Sequence, residues 1–241
     1  MADKIQVAVR IRPVLSQKKD VELHWHSSDK GTIFQIDPAT RKRLGNPYPF
    51  DQVFGSETKN HEIFSHLVEP LIDSAMKGFN VTVLAYGQTA SGKTYTMMGS
   101  PQEMGIVQSA VQRIFTVIEN TPERQFLLRC SYIEIYNESI SDLLSSSNQK
   151  LKVQDLAEGN VVVQNLIEVN INTPDAVMKL MQQGNKQRKV GGTSMNERSS
   201  RSHTIFRIIV ESQEDGNTGA VTVSHINLGK INLFLCCLRK L

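Results

Sequence analysis

Residues 79–99 read FNVTVLAYGQTASGKTYTMMG, an apolar β-branched run, then a loop bounded by glycines, then a lysine and a threonine. Residues 79–86 have the length and character of a strand buried on both faces. Gly87, Gln88, Thr89, Ala90, Ser91, Gly92, Lys93 and Thr94 fit G-x-x-x-x-G-K-[ST] at every fixed position. In such a loop the glycines let backbone N–H groups turn inward toward phosphate oxygens. The lysine supplies a point charge for the outer phosphates, and the hydroxyl can ligate Mg2+. A glycine loop that only turns a strand into a helix is the bland alternative. Either reading requires a strand–loop–helix unit, which commits the chain to a layered α/β architecture.

The chain has 241 residues, 39% of them hydrophobic, enough for one sizeable core. It carries 27 Lys and Arg against 24 Asp and Glu. The resulting charge of +3 argues for neither nucleic acid nor a membrane surface as partner. Cys130, Cys236 and Cys237 are odd in number and lack metal-ligand spacing, which fits reduced thiols. The first residues, MADKIQVAVRIRP, lack the apolar core of a signal peptide, so a cytoplasmic address is expected. The most apolar run, residues 231–238, is far shorter than the roughly 20 residues that cross a bilayer.

Periodicity supplies the surrounding elements. Ile5, Val7, Val9 and Ile11 alternate with polar or small neighbours up to Pro13, as in a strand. Residues 21–37 alternate on both sides of SSDKG and predict a hairpin. Apolar positions at three and four predict a helix over 58–77, bent or broken by Pro70 and closed by Gly78. A second helix is expected over 105–120 and a third from 173 to Gly184. Further strands are expected over 124–138, 151–153, 161–169, 204–211 and 221–228. Strands alternating with helices predict an α/β fold, a three-layer P-loop NTPase-type domain with a central mixed β-sheet flanked by helices.

Residues 196–203, NERSSRSH, form a hydroxyl-rich loop with two arginines leading into the strand TIFRIIV. Such a loop can reach a γ-phosphate and its metal, and can change shape when they leave. By itself it also fits a solvated polar turn.

Taken with GQTASGKTYTM, this octet resembles the kinesin motor domain. VRIRP at 9–13, YIEIYNE at 132–138 and DLL at 142–144 add matches in the family's order. The wording of 85–99 and 126–138 looks most like the centromere-associated kinesins. The resemblance implies a microtubule motor domain that binds ATP and Mg2+ and couples hydrolysis to movement on tubulin. It implies that Arg10, Arg12 and Pro13 border the adenine and that Tyr95 stacks on it. Gln88 to Thr94 are then expected to wrap the phosphates, with Lys93 acting on them. The resemblance implies that Ser199 and Ser200 form the first switch with Asn196 nearby, that Thr94 and Ser200 meet the metal, and that Arg201 pairs with an acid of a second switch. Tyr95 also fits an ordinary core aromatic, and His203 a structural histidine.

The chain departs from the family after residue 228. Kinesins continue there with D-L-A-G-x-E; here GKINLFLCCLRKL follows, and no acidic residue occurs beyond Asp215. Residues 1–228 therefore read as the N-terminal part of a motor domain and 229–241 as a divergent tail. Without the switch acids, phosphoryl transfer is expected to be impaired more than binding. An alternative function follows, a non-motor nucleotide-binding fragment or dominant-negative isoform, with no dimerisation element encoded. In the family a late strand lies between the first strand and the phosphate-loop strand, so unpaired backbone is expected beside the latter. Residues 231–238 either supply a substitute strand or form a frayed end. Val81 stands where the family usually has glycine.

Overall fold

The computed structural model describes residues 5–14, 24–28, 31–146, 150–155, 161–190, 202–214 and 221–232. The chain divides into two compact units, residues 1–63 and 64–241.

In the first unit β1 (Ala8–Arg10) pairs in parallel with β5 (Gln52–Phe54). The expected hairpin is present as β2 (Trp25–Ser28) and β3 (Thr32–Ile36), and β4 (Arg43–Pro49) adds a third strand. β4 was not legible in sequence because RLGNPYP holds a glycine and two prolines and is exposed along its whole length. Its ladder to β3 and the Arg43 guanidinium, 4.1 Å over the Phe34 ring, hold it in place. A short helix, α1 (Asn60–Ile63), ends the unit.

The second unit opens on a π-helical turn, Phe64–Val68, and α2 (Glu69–Ala75). The single helix expected over 58–77 is thus interrupted. Pro70 lies in the first turn of α2, where its missing N–H costs no intrahelical bond, and the wider π turn absorbs the mismatch before it. Val68, Ile72 and Ala75 are buried, while Asp73 accepts two hydrogen bonds from Arg113, at 2.7 and 2.8 Å.

Next come β6 (Val81–Gly87), α3 (Lys93–Met98), the small hairpin β7 (Gly99–Ser100) and β8 (Glu103–Met104), and α4 (Ile106–Glu119). α4 buries Ile106, Val107, Ala110, Val111 and Ile114, and Gln108 reaches back to accept from the Gly105 amide at 2.7 Å. The long β9 (Arg124–Tyr136) turns into β10 (Ser139–Asp142) through Asn137 and Glu138, both at positive φ. Two central residues at φ > 0 make the turn whose twist matches a hairpin. β11 (Lys150–Asp155), β12 (Val161–Gln164) and β13 (Val169–Ile171) precede α5 (Pro174–Val190). β14 (Ser202–Glu214) and β15 (Thr222–Asn232) complete the unit.

The sheet runs β12-β11-β10-β9-β14-β15-β6, with β13 paired to β9. Its pairings are antiparallel except β15 to β6, which is parallel, so the expected central mixed sheet flanked by helices is what forms. Two expectations need correction. α5 does not stop at Gly184 but continues to Val190. A Cβ at Gly184 would lie 2.5 Å from Tyr132 Cδ1, so this glycine is an approach point between helix and sheet, not a cap. Residues 79–86 are not buried on both faces. β6 ends the sheet among the described residues, Val81 is buried, and Leu84 and Tyr86 are 48% and 64% exposed.

Candidate functional site

β6 delivers the chain into the loop at Gly87, whose φ is 151°, and a Cβ there would lie 2.8 Å from Ser91 Oγ. Ala90 sits at φ 62° and Gly92 at φ 100° as the residue preceding α3. Glycine meets such φ values without Cβ strain, and alternating backbone handedness turns successive amides into one concavity. Gln88, Thr89, Ala90 and Thr94 are exposed, so the rim of the loop faces solvent.

Lys93 is the first residue of α3 and is buried to 7% exposure. Its ammonium donates to the carbonyls of Gly87 at 2.7 Å and Gln88 at 2.5 Å, which holds the charge against the loop backbone. Burial pulls its pKa below the ordinary lysine value. Tyr95 is not a core aromatic, since 42% of it is exposed and its hydroxyl donates to the Glu103 carboxylate.

The interior side of the loop carries residues that the sequence reading did not single out. Lys230, on β15, is 8% exposed, and its ammonium donates to the Thr94 hydroxyl at 3.4 Å. Burial first, then Arg188 and Lys93, push its pKa down to about 8, against the opposing pull of Glu134. Glu134 on β9 is fully buried and accepts from Arg188 Nε at 2.8 Å. Arg188 Nη2 donates to Ser202 Oγ at 2.6 Å, tying α5 to the first residue of β14. His203 beside it is 8% exposed, and burial lowers its pKa.

The signal for Lys230 was a two-residue period, because Ser224, Ile226 and Leu228 are buried on the same face of β15. Reading residues from 229 onward as a tail hid it. β15 instead runs on through Gly229 to Asn232, with Lys230 opposite Ala85 and Asn232 opposite Gly87. The remainder of the run 231–238 lies outside the described residues.

The other expected site residues are placed unevenly. Arg10 belongs to the first unit, where it donates to Asn60 Oδ1 at 2.5 Å and to the Thr58 carbonyl at 3.0 Å. Arg12 and Pro13 are exposed. Asn196, Ser199, Ser200 and Arg201 lie outside the described residues. Of the matched runs, Asp142 is buried and structural. Its carboxylate accepts from the amides of Leu144 at 2.8 Å and Ile167 at 2.9 Å.

A family model described as the kinesin motor domain matches residues 10–233. The chain belongs to the kinesin motor-domain family. It is 43% identical over 235 residues to human centromere-associated protein E, covering 93% of this chain and 8% of that protein. It is 41% identical over 233 residues to kinesin-like protein KIN-7I of Oryza sativa subsp. japonica, covering 94% of this chain and 19% of that protein. Its fold matches the solved structure of a fast kinesin with a TM-score of 0.85 at 32% identity, over 95% of this chain and 65% of that one. That structure bears on ATPase mechanism and interactions with microtubules. The chain thus spans a small fraction of these two relatives' lengths and under two thirds of this kinesin structure. Among the described residues no helix is long and apolar enough to cross a membrane.

Proposed function

We propose that this chain is an ATP-binding motor domain that works on microtubules. The observation that carries the reading is the loop from Gly87 to Thr94. Its left-handed turns at Ala90 and Gly92 and the Lys93 ammonium on its carbonyls form a concave site for phosphate oxygens. Kinesin family membership supports ATP as the nucleotide and the microtubule as the partner. Likeness to a centromere-associated protein supports the cytoskeleton as location, with the spindle or kinetochore as its finer address.

In this proposal Gln88 to Thr94 wrap the phosphates, and the exposed ring of Tyr95 offers a stacking surface to the base. Arg10, Arg12 and Pro13 border the adenine. Asn196, Ser199 and Ser200 respond to the γ-phosphate, and Arg201 joins them as a switch residue. Bound ATP supplies a terminal phosphoryl group whose transfer depends on positioning and electrostatics. Lys93 has the charge for that work, and release from the Gly87 and Gln88 carbonyls frees it to meet a phosphate. For Mg2+ the family implies Thr94 and Ser200 as protein ligands. The described half of that pair fits poorly, because a divalent cation on the Thr94 hydroxyl would stand against the Lys230 ammonium, which lies 3.4 Å from that oxygen.

ATP turnover measured with and without microtubules, beside a Lys93→Ala control, tests the reading. Microtubule-stimulated turnover that disappears in the control is expected. A wild-type chain that binds no nucleotide, or whose turnover ignores microtubules, overturns it.

A further inference from the structure

Two lysines meet the two ends of one loop. Lys93 sits at the start of α3 with its ammonium on the Gly87 and Gln88 carbonyls, and Lys230 comes up from β15 to the hydroxyl of the next residue, Thr94. Both lysine residues are more than nine-tenths buried, and each acts on a surface that opens to solvent at Gln88, Thr89 and Thr94. Burying a charge is costly unless it is paired. Here the acid acting on Lys230 is Glu134, whose carboxylate is already engaged with Arg188. Arg188 and Lys93 both act on Lys230 as like charges. The cluster Lys93, Lys230 and Arg188 against Glu134 therefore carries excess positive charge, directed at a loop whose backbone suits phosphate.

A divalent cation fits this arrangement badly. A hydroxyl that ligates Mg2+ gives the metal a lone pair at about 2.1 Å amid anionic partners. Thr94 Oγ1 instead accepts a hydrogen bond from a cation anchored in β15, and Mg2+ at that oxygen would face the Lys230 ammonium at close range. An ammonium can do part of what the metal does, since it carries positive charge and donates charge-assisted hydrogen bonds to phosphate oxygens.

We propose that Lys230 takes the place of a divalent cation at the Gly87–Thr94 loop, so that the site binds a metal-free nucleoside triphosphate between the Lys93 and Lys230 ammonium groups. This rests on the reading that the loop holds nucleotide phosphates. It adds a specificity, because the free tetra-anion is preferred over its magnesium complex. The mechanism is electrostatic. The triphosphate neutralises two buried charges that compete with each other without it, whereas the magnesium complex brings two fewer negative charges and a repelled metal.

The test is a titration of the 241-residue chain with a fluorescent ATP analogue, once in EDTA and once in excess Mg2+. The expected result for the wild-type chain is binding in EDTA at least as tight as in Mg2+. Lys230→Met loses about tenfold in the EDTA arm, the worth of one charge-assisted hydrogen bond, and becomes Mg2+-dependent. Lys230→Arg keeps the charge and keeps metal-free binding, and Lys93→Ala weakens both arms. Wild-type binding that requires Mg2+ but vanishes in Lys93→Ala overturns this inference and leaves the nucleotide reading standing. No binding in either arm, with circular dichroism showing a folded chain, overturns both. Lys230→Arg behaving like Lys230→Met also overturns it, since charge would then not be the cause. The wild-type comparison needs no variant to fold.

Discussion

The Lys230 ammonium donates to the Thr94 hydroxyl across 3.4 Å, so a buried cation on β15 supports the hydroxyl that follows the phosphate-loop lysine. Such a placement costs stability, because the ammonium leaves water while the acid that acts on it, Glu134, is already paired to Arg188. Lys230→Met is expected to stabilise the fold by about 1–4 kcal/mol, by analogy with buried ion pairs that give way to apolar side chains of similar volume. Urea unfolding followed by far-UV circular dichroism checks this. A variant less stable than wild type would mean that the ammonium holds α3 to β15 more firmly than burial opposes it.

The Glu134–Arg188 pair is expected to behave in the opposite way. Glu134 is fully buried and Arg188 also holds Ser202, so Glu134→Leu leaves a guanidinium without its carboxylate in the interior. A loss of about 3–5 kcal/mol is expected. Adding Arg188→Met should recover a substantial part of it. A double-mutant cycle measured by urea unfolding decides the matter, and strict additivity of the two changes would refute a direct coupling.

Gly184 marks both a prediction and a limit of reading sequence. A glycine followed by polar residues resembles a helix stop, yet α5 passes through it because Tyr132 lies against that point. Gly184→Ala raises intrinsic helix propensity and still should destabilise by about 1–3 kcal/mol, since the new Cβ would overlap the Tyr132 ring, 2.5 Å from Cδ1. Gly184→Ala in a Tyr132→Leu background should lose that penalty. Thermal unfolding of the four proteins measures it.

What local pattern determines was readable, and what distant packing determines was not. The loop from Gly87 to Thr94, α4 and the long β9 follow from spacing, β-branching and glycine chemistry, and each formed near its expected bounds. β10 was overlooked although Asn137 offered a positive-φ turn signal, because the following SISD is short and polar. β4 is held by its neighbours in spite of its own residues. In the candidate site, Lys93 and Thr94 announced themselves through a motif. Lys230, Arg188 and Glu134 come from three elements far apart in the chain, and only the register of β15 against β6 brings Lys230 to Thr94.

Cys130 should be inert in the folded chain. It is fully buried on β9, and burial pushes its thiol up to about 12 from an ordinary value of 9.0. The sign follows from the raised value. The fold favours the protonated thiol, so this group's contribution is intact below pH 9.0 and is lost as pH rises toward 12. Iodoacetamide at pH 8 followed by peptide mapping should leave Cys130 unmodified in native protein and label it in urea. Labelling in the native state would place the thiolate within reach of solvent.

Gly92 separates the loop's conformation from its packing. At φ 100° it occupies a region that other residues enter only under strain, yet a Cβ there would meet nothing within 4 Å. Gly92→Ala should therefore fold, at a cost of about 1–2 kcal/mol from backbone strain alone. If the loop amides form the phosphate concavity, relaxing that strain turns them away, and affinity for a nucleotide analogue should fall by more than the stability loss accounts for. Gly87→Ala adds a steric term, because its Cβ would lie 2.8 Å from Ser91 Oγ. Urea unfolding and nucleotide titration on both variants separate the effects. Gly92→Ala binding as tightly as wild type would show that Lys93 and Lys230, not the backbone amides, hold the phosphates.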